Sequence, residues 1–142
     1  MTPADRHIQQ WKHNRAFLQS IRPEYHDWMI VGMFYTALHA IDTLLASRQD
    51  EAQDHTSRNG KLSQSKSYQK IWESYRPLYA LSRSVRYFAE PSTWIPPDKI
   101  QSELLNRHLY PIEKSVIKLA KLSVADAEEL TQPVRLQVST PA

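Results

Sequence analysis

Three polar residues share one face of a strongly apolar segment: Tyr35, His39 and Asp42. Their spacing of i, i+4 and i+7 places them in line on a helix. A hydrogen bond from His39 to Asp42 would fix the imidazole tautomer and raise its basicity. The stripe suits acid–base chemistry, or alternatively a buried histidine whose neighbours fix the register of the fold. No second histidine or carboxylate has helical spacing beside both His39 and Asp42, so the sequence predicts no metal site.

A second polar group combines two arginines with two tyrosines. Tyr79, Arg83 and Arg86 again follow i, i+4 and i+7, and Tyr87 flanks them. A guanidinium group is a planar fork that binds phosphate and stacks on aromatic rings, so this group suits contact with nucleotides. The alternative is that both arginines pair with acidic residues of a neighbouring helix.

A third group lies in the polar run DHTSRNG, which contains His55 and Arg58. In a cleft, a histidine can act as an acid or base while an arginine holds an anion, as RNA cleavage requires. A histidine in a solvated loop without any such role is the other interpretation.

These residues need a helical scaffold, and the hydrophobic periodicity predicts one. Residues 48–67 are polar and predict a loop, or a loop followed by a frayed helix start. Pro77 predicts a kink or break near Tyr75, and Pro111 predicts a bend. The predicted helices run from Thr2 to before Pro23, from Glu24 or Asp27 to about Ser47, from about Ser67 to Ala89, and from Pro97 or Asp98 to Leu122, with a short helix over 124–131.

The apolar run from Trp28 to Ala46 approaches the length of a membrane span. His39 and Asp42 lie in its middle, and the chain has no second such run. We therefore predict a central helix wrapped by others rather than a helix in lipid.

Composition limits the remaining function classes. A length of 142 residues suits one domain, and the absence of cysteine excludes disulfides and cysteine–zinc sites. The polar N-terminus has no apolar signal region, so we expect a cytoplasmic protein. Only two glycines occur, and no glycine-rich phosphate loop can be written. A net charge of +3 permits phosphate contact without requiring it.

Taken together, three blocks resemble the HEPN superfamily. They are the run Phe34-Tyr35-Thr36-Ala37-Leu38-His39, the pair His55-x-x-Arg58, and a helix with Tyr79, Ser82, Arg83, Arg86 and Tyr87. The resemblance covers about residues 5–122. It implies an all-α, four- to five-helix up-and-down bundle over residues 1–125, here with kinked third and last helices. We expect residues 126–142 to form a short helix and a flexible C-terminal tail.

The resemblance also implies functions. Many members are metal-independent RNases of toxin–antitoxin or anti-phage systems, often homodimeric, whereas others bind nucleotides or assemble with partner proteins such as an antitoxin. The RNases carry Arg-x4–6-His on a late helix, but no histidine follows Arg83 or Arg86 at that spacing, and a formal match, Arg48-x6-His55, lies at the end of the second predicted helix and in the loop after it. No cofactor is expected. The predicted catalytic residues are His39, His55, Arg58 and Arg83, and the predicted binding residues are Tyr35, Asp42, Tyr79, Arg86 and Tyr87.

Overall fold

The computed structural model describes residues 1–88 and 95–137, and this part of the chain is helical without strands, which confirms the all-α prediction. Turns of 3-10 helix lie at Pro23–Tyr25 and Lys66–Tyr68, and π-helical segments lie at Ser84–Phe88 and Gln101–Leu109. The α-helices are α1 (Pro3–Ser20), α2 (His26–Ser47), α3 (His55–Gln64), α4 (Gln69–Arg83), α5 (Pro97–Ile100), α6 (Tyr110–Leu119) and α7 (Val124–Leu130).

Helix α1 begins as its sequence predicts. The Thr2 side chain accepts from the Asp5 backbone N–H and the Asp5 carboxylate accepts from the Thr2 N–H, each at 3.1 Å, which completes a capping box. The buried residues of α1 are Ile8, Trp11, Arg15 and Leu18, which recur at helical spacing.

Helices α1 and α2 form the most extensive packing in the fold and run antiparallel. His7 meets His39 near one end, and Leu18 meets Gly32 near the other. A Cβ atom at Gly32 would lie 3.1 Å from the Leu18 side chain, so the glycine permits the close approach.

Helix α2 is the centre of the fold. The segment Pro23–Ser47 is long and apolar enough to cross a membrane, but 83% of its most apolar window is buried inside the structure. This burial agrees with a core helix that its neighbours surround.

The polar segment after α2 differs from the prediction. Helix α3 begins directly after Asp54. The Asp54 carboxylate caps it by accepting a hydrogen bond from the Ser57 N–H at 2.7 Å. Arg58 and Leu62, one turn apart, are the residues that α3 buries. With a single large apolar residue on its inner face, the helix has too weak a hydrophobic period to be visible in the sequence.

The predicted effects of the two prolines also change. Helix α4 continues through Tyr75 and Pro77, so of the predicted kink or break the break does not occur, and π-helical geometry follows later, at Ser84–Phe88. Pro111 follows the π-helical segment Gln101–Leu109. A wider turn at this point relieves the clash between a proline ring and the carbonyl four residues earlier.

The C-terminal part lies against α1. Lys12 pairs with Asp126 and Glu129 of α7, at 2.7 and 2.6 Å. Beyond α7, Val134 is buried and the Arg135 N–H donates to the Gln19 side chain at 2.8 Å. The tail therefore has contacts up to residue 137, and residues 138–142 of the predicted flexible tail lie outside the described part.

A buried polar group ties α6 to α1. The Glu113 carboxylate is 2% exposed and accepts hydrogen bonds from Arg15 and, at 2.7 Å, from the Trp11 indole N–H. Because both donors satisfy the carboxylate, a charged residue can occupy the core at this position.

Candidate functional site

The centre of the candidate site is an ion pair between α2 and α3. Arg58 Nε donates to Asp42 Oδ1 at 2.8 Å and Arg58 Nη2 donates to Asp42 Oδ2 at 3.0 Å. The cap at Asp54 sets the start of α3, and Arg58 then lies one turn further on, facing α2. The two-point geometry fixes both side chains and leaves one guanidinium nitrogen, Nη1, for a further contact.

That further contact is with His55. The Nη1 atom of Arg58 lies 3.3 Å from His55 Nδ1. Burial, followed by the charges of Arg58 and Arg86, lowers the pKa of His55 from its usual 6.5, so the ring is neutral at pH 7. A guanidinium group only donates, so Nδ1 accepts and the ring proton sits on Nε2. His55 therefore offers an N–H to a ligand.

Aromatic rings enclose His55. Its ring centroid lies 5.8 Å from that of Phe34 and 5.7 Å from that of Tyr79, the latter edge to face. Phe34 is fully buried and comes from the centre of α2. The imidazole orientation is therefore set by packing as well as by Arg58.

Arg86, in the π-helical segment Ser84–Phe88 that follows α4, also contacts the Phe34 ring. Its Nη1 donates to the Tyr35 hydroxyl at 3.0 Å, and its guanidinium carbon lies 5.2 Å from the Phe34 ring centroid and 5.0 Å from that of Tyr87. These are cation–π distances.

A solvent-open cleft joins these side chains. Its volume is about 460 Å³. Arg83 and Tyr87 are exposed, whereas His55, Tyr79 and Arg86 are half-buried. Neither Arg83 nor Arg86 forms an ion pair within residues 1–88 and 95–137. The lining residues are Asp54, His55, Thr56, Tyr79, Arg83, Arg86 and Tyr87.

His39 does not belong to this cleft. Its Nδ1 lies 3.1 Å from Nδ1 of His7 on α1, and the predicted hydrogen bond to Asp42 is wrong because Asp42 binds Arg58 instead. Burial, and next the neighbouring His7, lower the pKa of His39 to about 4. Among the described residues, His7, His39 and Asp42 form a group that could hold a metal ion, since one ligand atom from each lies within 4.8 Å of the others.

In the RNase-like match Arg48-x6-His55, the arginine contacts a different residue. Arg48 donates to the Tyr68 hydroxyl at 2.9 Å and lies 5.2 Å from the centroid of the Tyr68 ring. Arg48 therefore binds Tyr68, and the arginine in contact with His55 is Arg58.

The predicted residues thus divide into three sets. The first set lines the cleft: His55, Tyr79, Arg83, Arg86 and Tyr87. The second set supports it: Asp42 binds Arg58, Arg58 contacts His55, and Tyr35 accepts a hydrogen bond from Arg86. His39 is the third and lies apart, against His7. The sequence prediction missed the cleft residues Asp54 and Thr56, although an aspartate before HTS is a recognisable helix cap.

Comparisons of the chain with protein-family models, with curated proteins and with solved structures give no match. The chemistry of the cleft therefore rests on its own geometry.

Proposed function

We propose that this HEPN-like chain binds RNA or nucleotide phosphates in the cleft between α3 and the end of α4. The observation that supports the proposal is the pair of arginines on one cleft wall, Arg83 and Arg86, neither of which has a carboxylate partner in the described part of the chain. Unneutralised guanidinium groups beside aromatic rings are the usual means of binding a phosphate next to a base.

The cleft offers donors of different mobility. Arg86 is held by the Tyr35 hydroxyl and by the Ser82 carbonyl, to which its Nε donates at 3.3 Å. Arg83 is exposed and free to follow a phosphate along a strand. The N–H of His55 is a third donor, and the exposed Tyr87 provides a ring on which a base can stack. One fixed and one adaptable cation suit a repeating phosphate backbone.

The same geometry favours binding over cleavage. Metal-independent RNA cleavage needs a base to take the 2′-hydroxyl proton and a cation to stabilise the charged phosphate. Arg83 and Arg86 supply the cation, but the unprotonated nitrogen of His55, Nδ1, faces Arg58 and accepts its hydrogen bond. Cleavage therefore requires the imidazole to turn away from Arg58, whereas binding uses the ring as it stands.

The binding experiment compares matched charge removals on α4. Fluorescence anisotropy with labelled single-stranded RNA, in EDTA, measures the Kd of the wild type, Arg83→Gln and Lys70→Gln, the last at an exposed site outside the cleft. Loss of a charge-assisted phosphate contact should weaken binding by Arg83→Gln about tenfold or more. Equal affinities for the two variants, or no affinity for RNA or nucleoside phosphates in the wild type, would contradict the proposal.

The same samples test cleavage. Gel analysis of the RNA after incubation in EDTA would show products that depend on His55, so His55→Gln should abolish them while Lys70→Gln should not. Binding without cleavage in the wild type is the result that the His55 tautomer favours.

A second candidate function is assembly with a second copy or another protein. Next to the cleft, Tyr87 and Phe88 are 67% and 62% exposed, which is unusual for adjacent large aromatic residues. Homodimerisation over this face would place two clefts near each other. Light scattering should then show a dimer that Tyr87→Ser weakens, and a monomer at every concentration would exclude the homodimer.

A further inference from the structure

A second polar cluster lies on the α1 side of Asp42. One nitrogen each from His7 and His39 and one oxygen from Asp42 lie within 4.8 Å of one another. Both histidines are half-buried and Asp42 is buried. His7 and His39 are 32 positions apart, so the local spacing that predicted no metal site could not include His7.

The distances suit a metal ion. The two Nδ1 atoms are 3.1 Å apart. Nitrogen ligands at about 2.0–2.1 Å from a tetrahedral Zn²⁺ ion are about 3.3 Å apart, so a small movement of either ring would seat the ion. A hydrogen bond between the imidazoles is the competing arrangement, in which a proton occupies the space between the two nitrogens.

We propose that His7, His39 and Asp42 form a binding site for a divalent transition-metal cation of the Zn²⁺, Co²⁺ or Ni²⁺ type. Two imidazoles and one carboxylate are a preferred ligand set for these ions, whereas Mg²⁺ and Ca²⁺ require oxygen ligands.

The hydrogen bonds to Asp42 suit a metal ligand whose orientation is fixed by a neighbouring residue. Arg58 donates to both Asp42 oxygens, which fixes the carboxylate, and each ionised oxygen keeps a further lone pair. The positive charge of Arg58 opposes a cation nearby. We therefore expect the metal ion to bind reversibly and exchange, with a lower affinity than at a structural metal site.

Two of the three proposed ligands, His7 and Asp42, line a solvent-open cleft. This cleft has a volume of about 230 Å³ and is separate from the cleft of His55. A water molecule, or the carboxylate of Glu51 on the same wall, can complete the coordination. An open position is a feature of sites that exchange ligands or activate water.

Co²⁺ titration of the tag-free full chain tests the site, because four-coordinate Co²⁺ has a strong visible absorption. We expect one Co²⁺ per chain, displacement by Zn²⁺ and no competition from Mg²⁺. His7→Gln and His39→Gln should each weaken binding at least about 100-fold, since each removes a ligand. The matched control His13→Gln, at an exposed position of α1, should bind like the wild type.

Several outcomes would overturn the site. They are no Co²⁺ or Zn²⁺ binding by the wild type, unchanged affinity in His7→Gln, or equal losses in His13→Gln. Circular dichroism checks the fold of each variant. If His39→Gln does not fold, His7→Gln still tests the site, because His7 is only half-buried. Arg83→Gln should retain full Co²⁺ affinity, so failure of the metal site and failure of RNA binding remain distinguishable.

Discussion

Arg58 and Asp42 form a two-point ion pair that joins α3 to α2, with side chains only 7% and 9% exposed. Breaking such a buried pair leaves one charge without a partner in the interior, which typically costs about 3–5 kcal/mol. The pair therefore holds α3 in place and, through it, the position of His55.

Asp42→Ala should lower the free energy of unfolding by about 3–5 kcal/mol, because it leaves Arg58 unpaired. The double variant Asp42→Leu/Arg58→Met should recover much of that loss. The matched control is Arg107→Ala, which removes an exposed i,i+4 pair with Glu103 and should cost about 0.5 kcal/mol or less. Urea denaturation measures all three, and a loss for Asp42→Ala as small as the control's would contradict the buried pair.

His55 should titrate below 6.5 because burial, Arg58 and Arg86 all disfavour its protonated form. Removing the Arg86 charge in Arg86→Gln should raise the pKa of His55 toward 6.5, whereas Lys70→Gln should leave it unchanged. NMR of the imidazole resonances follows both. A His55 pKa at or above 6.5 in the wild type would contradict the arrangement of the cleft.

The lowered pKa of His55 makes the stability of the fold depend on pH. Below pH 6.5 the unfolded chain takes up a proton that the folded chain resists, so the free energy of unfolding should fall as the pH drops. Above pH 6.5 both states hold a neutral His55, and its contribution is constant. His55→Gln should show a weaker pH dependence than the wild type in denaturation experiments at pH 7.5 and pH 5.5.

Glu113 provides a test of the second buried polar group. Glu113→Ala should destabilise the fold by about 3–5 kcal/mol, because Arg15 would remain buried without its partner. Trp11→Phe, which removes the indole N–H but keeps an aromatic ring, should cost less than Glu113→Ala. Denaturation followed by circular dichroism gives both values, and the reverse order would contradict the role of Arg15 as the main partner.

Sequence patterns predicted the parts of the fold that depend on strong periodicity. The first helix begins next to Thr2 and the central helix α2 spans the apolar run, both as expected. Helix α3 was not predicted as a full helix because its buried residues, Arg58 and Leu62, give almost no apolar stripe. The π-helical turns were also invisible, since no residue type marks them.

The candidate site was predictable only in part. Helical spacing correctly placed Tyr79, Arg83 and Arg86 on one wall, and Tyr87 beside them. Spacing alone cannot choose among partners from different helices, and this is why Asp42 was matched with His39 rather than Arg58. For the same reason, His7 was not recognised as the partner of His39.

The salt dependence of RNA binding counts the phosphates that the cleft contacts. Each phosphate that a protein neutralises on a single-stranded nucleic acid contributes about −0.7 to the slope of log K against log salt concentration. Arg83→Gln should therefore make the slope less negative by about 0.7, and Lys70→Gln should not change it. An unchanged slope in Arg83→Gln would show that this residue does not contact a phosphate.

The most direct measurement of the central claim is to map RNA binding on the backbone amides by NMR. Titration of a short single-stranded RNA into labelled protein should shift the amides of residues 54–56 and 79–87 and the side-chain resonances of His55, while those around His7 stay unchanged. Shifts confined to any other surface, or none at saturating RNA, would contradict the assignment of this cleft to phosphate binding.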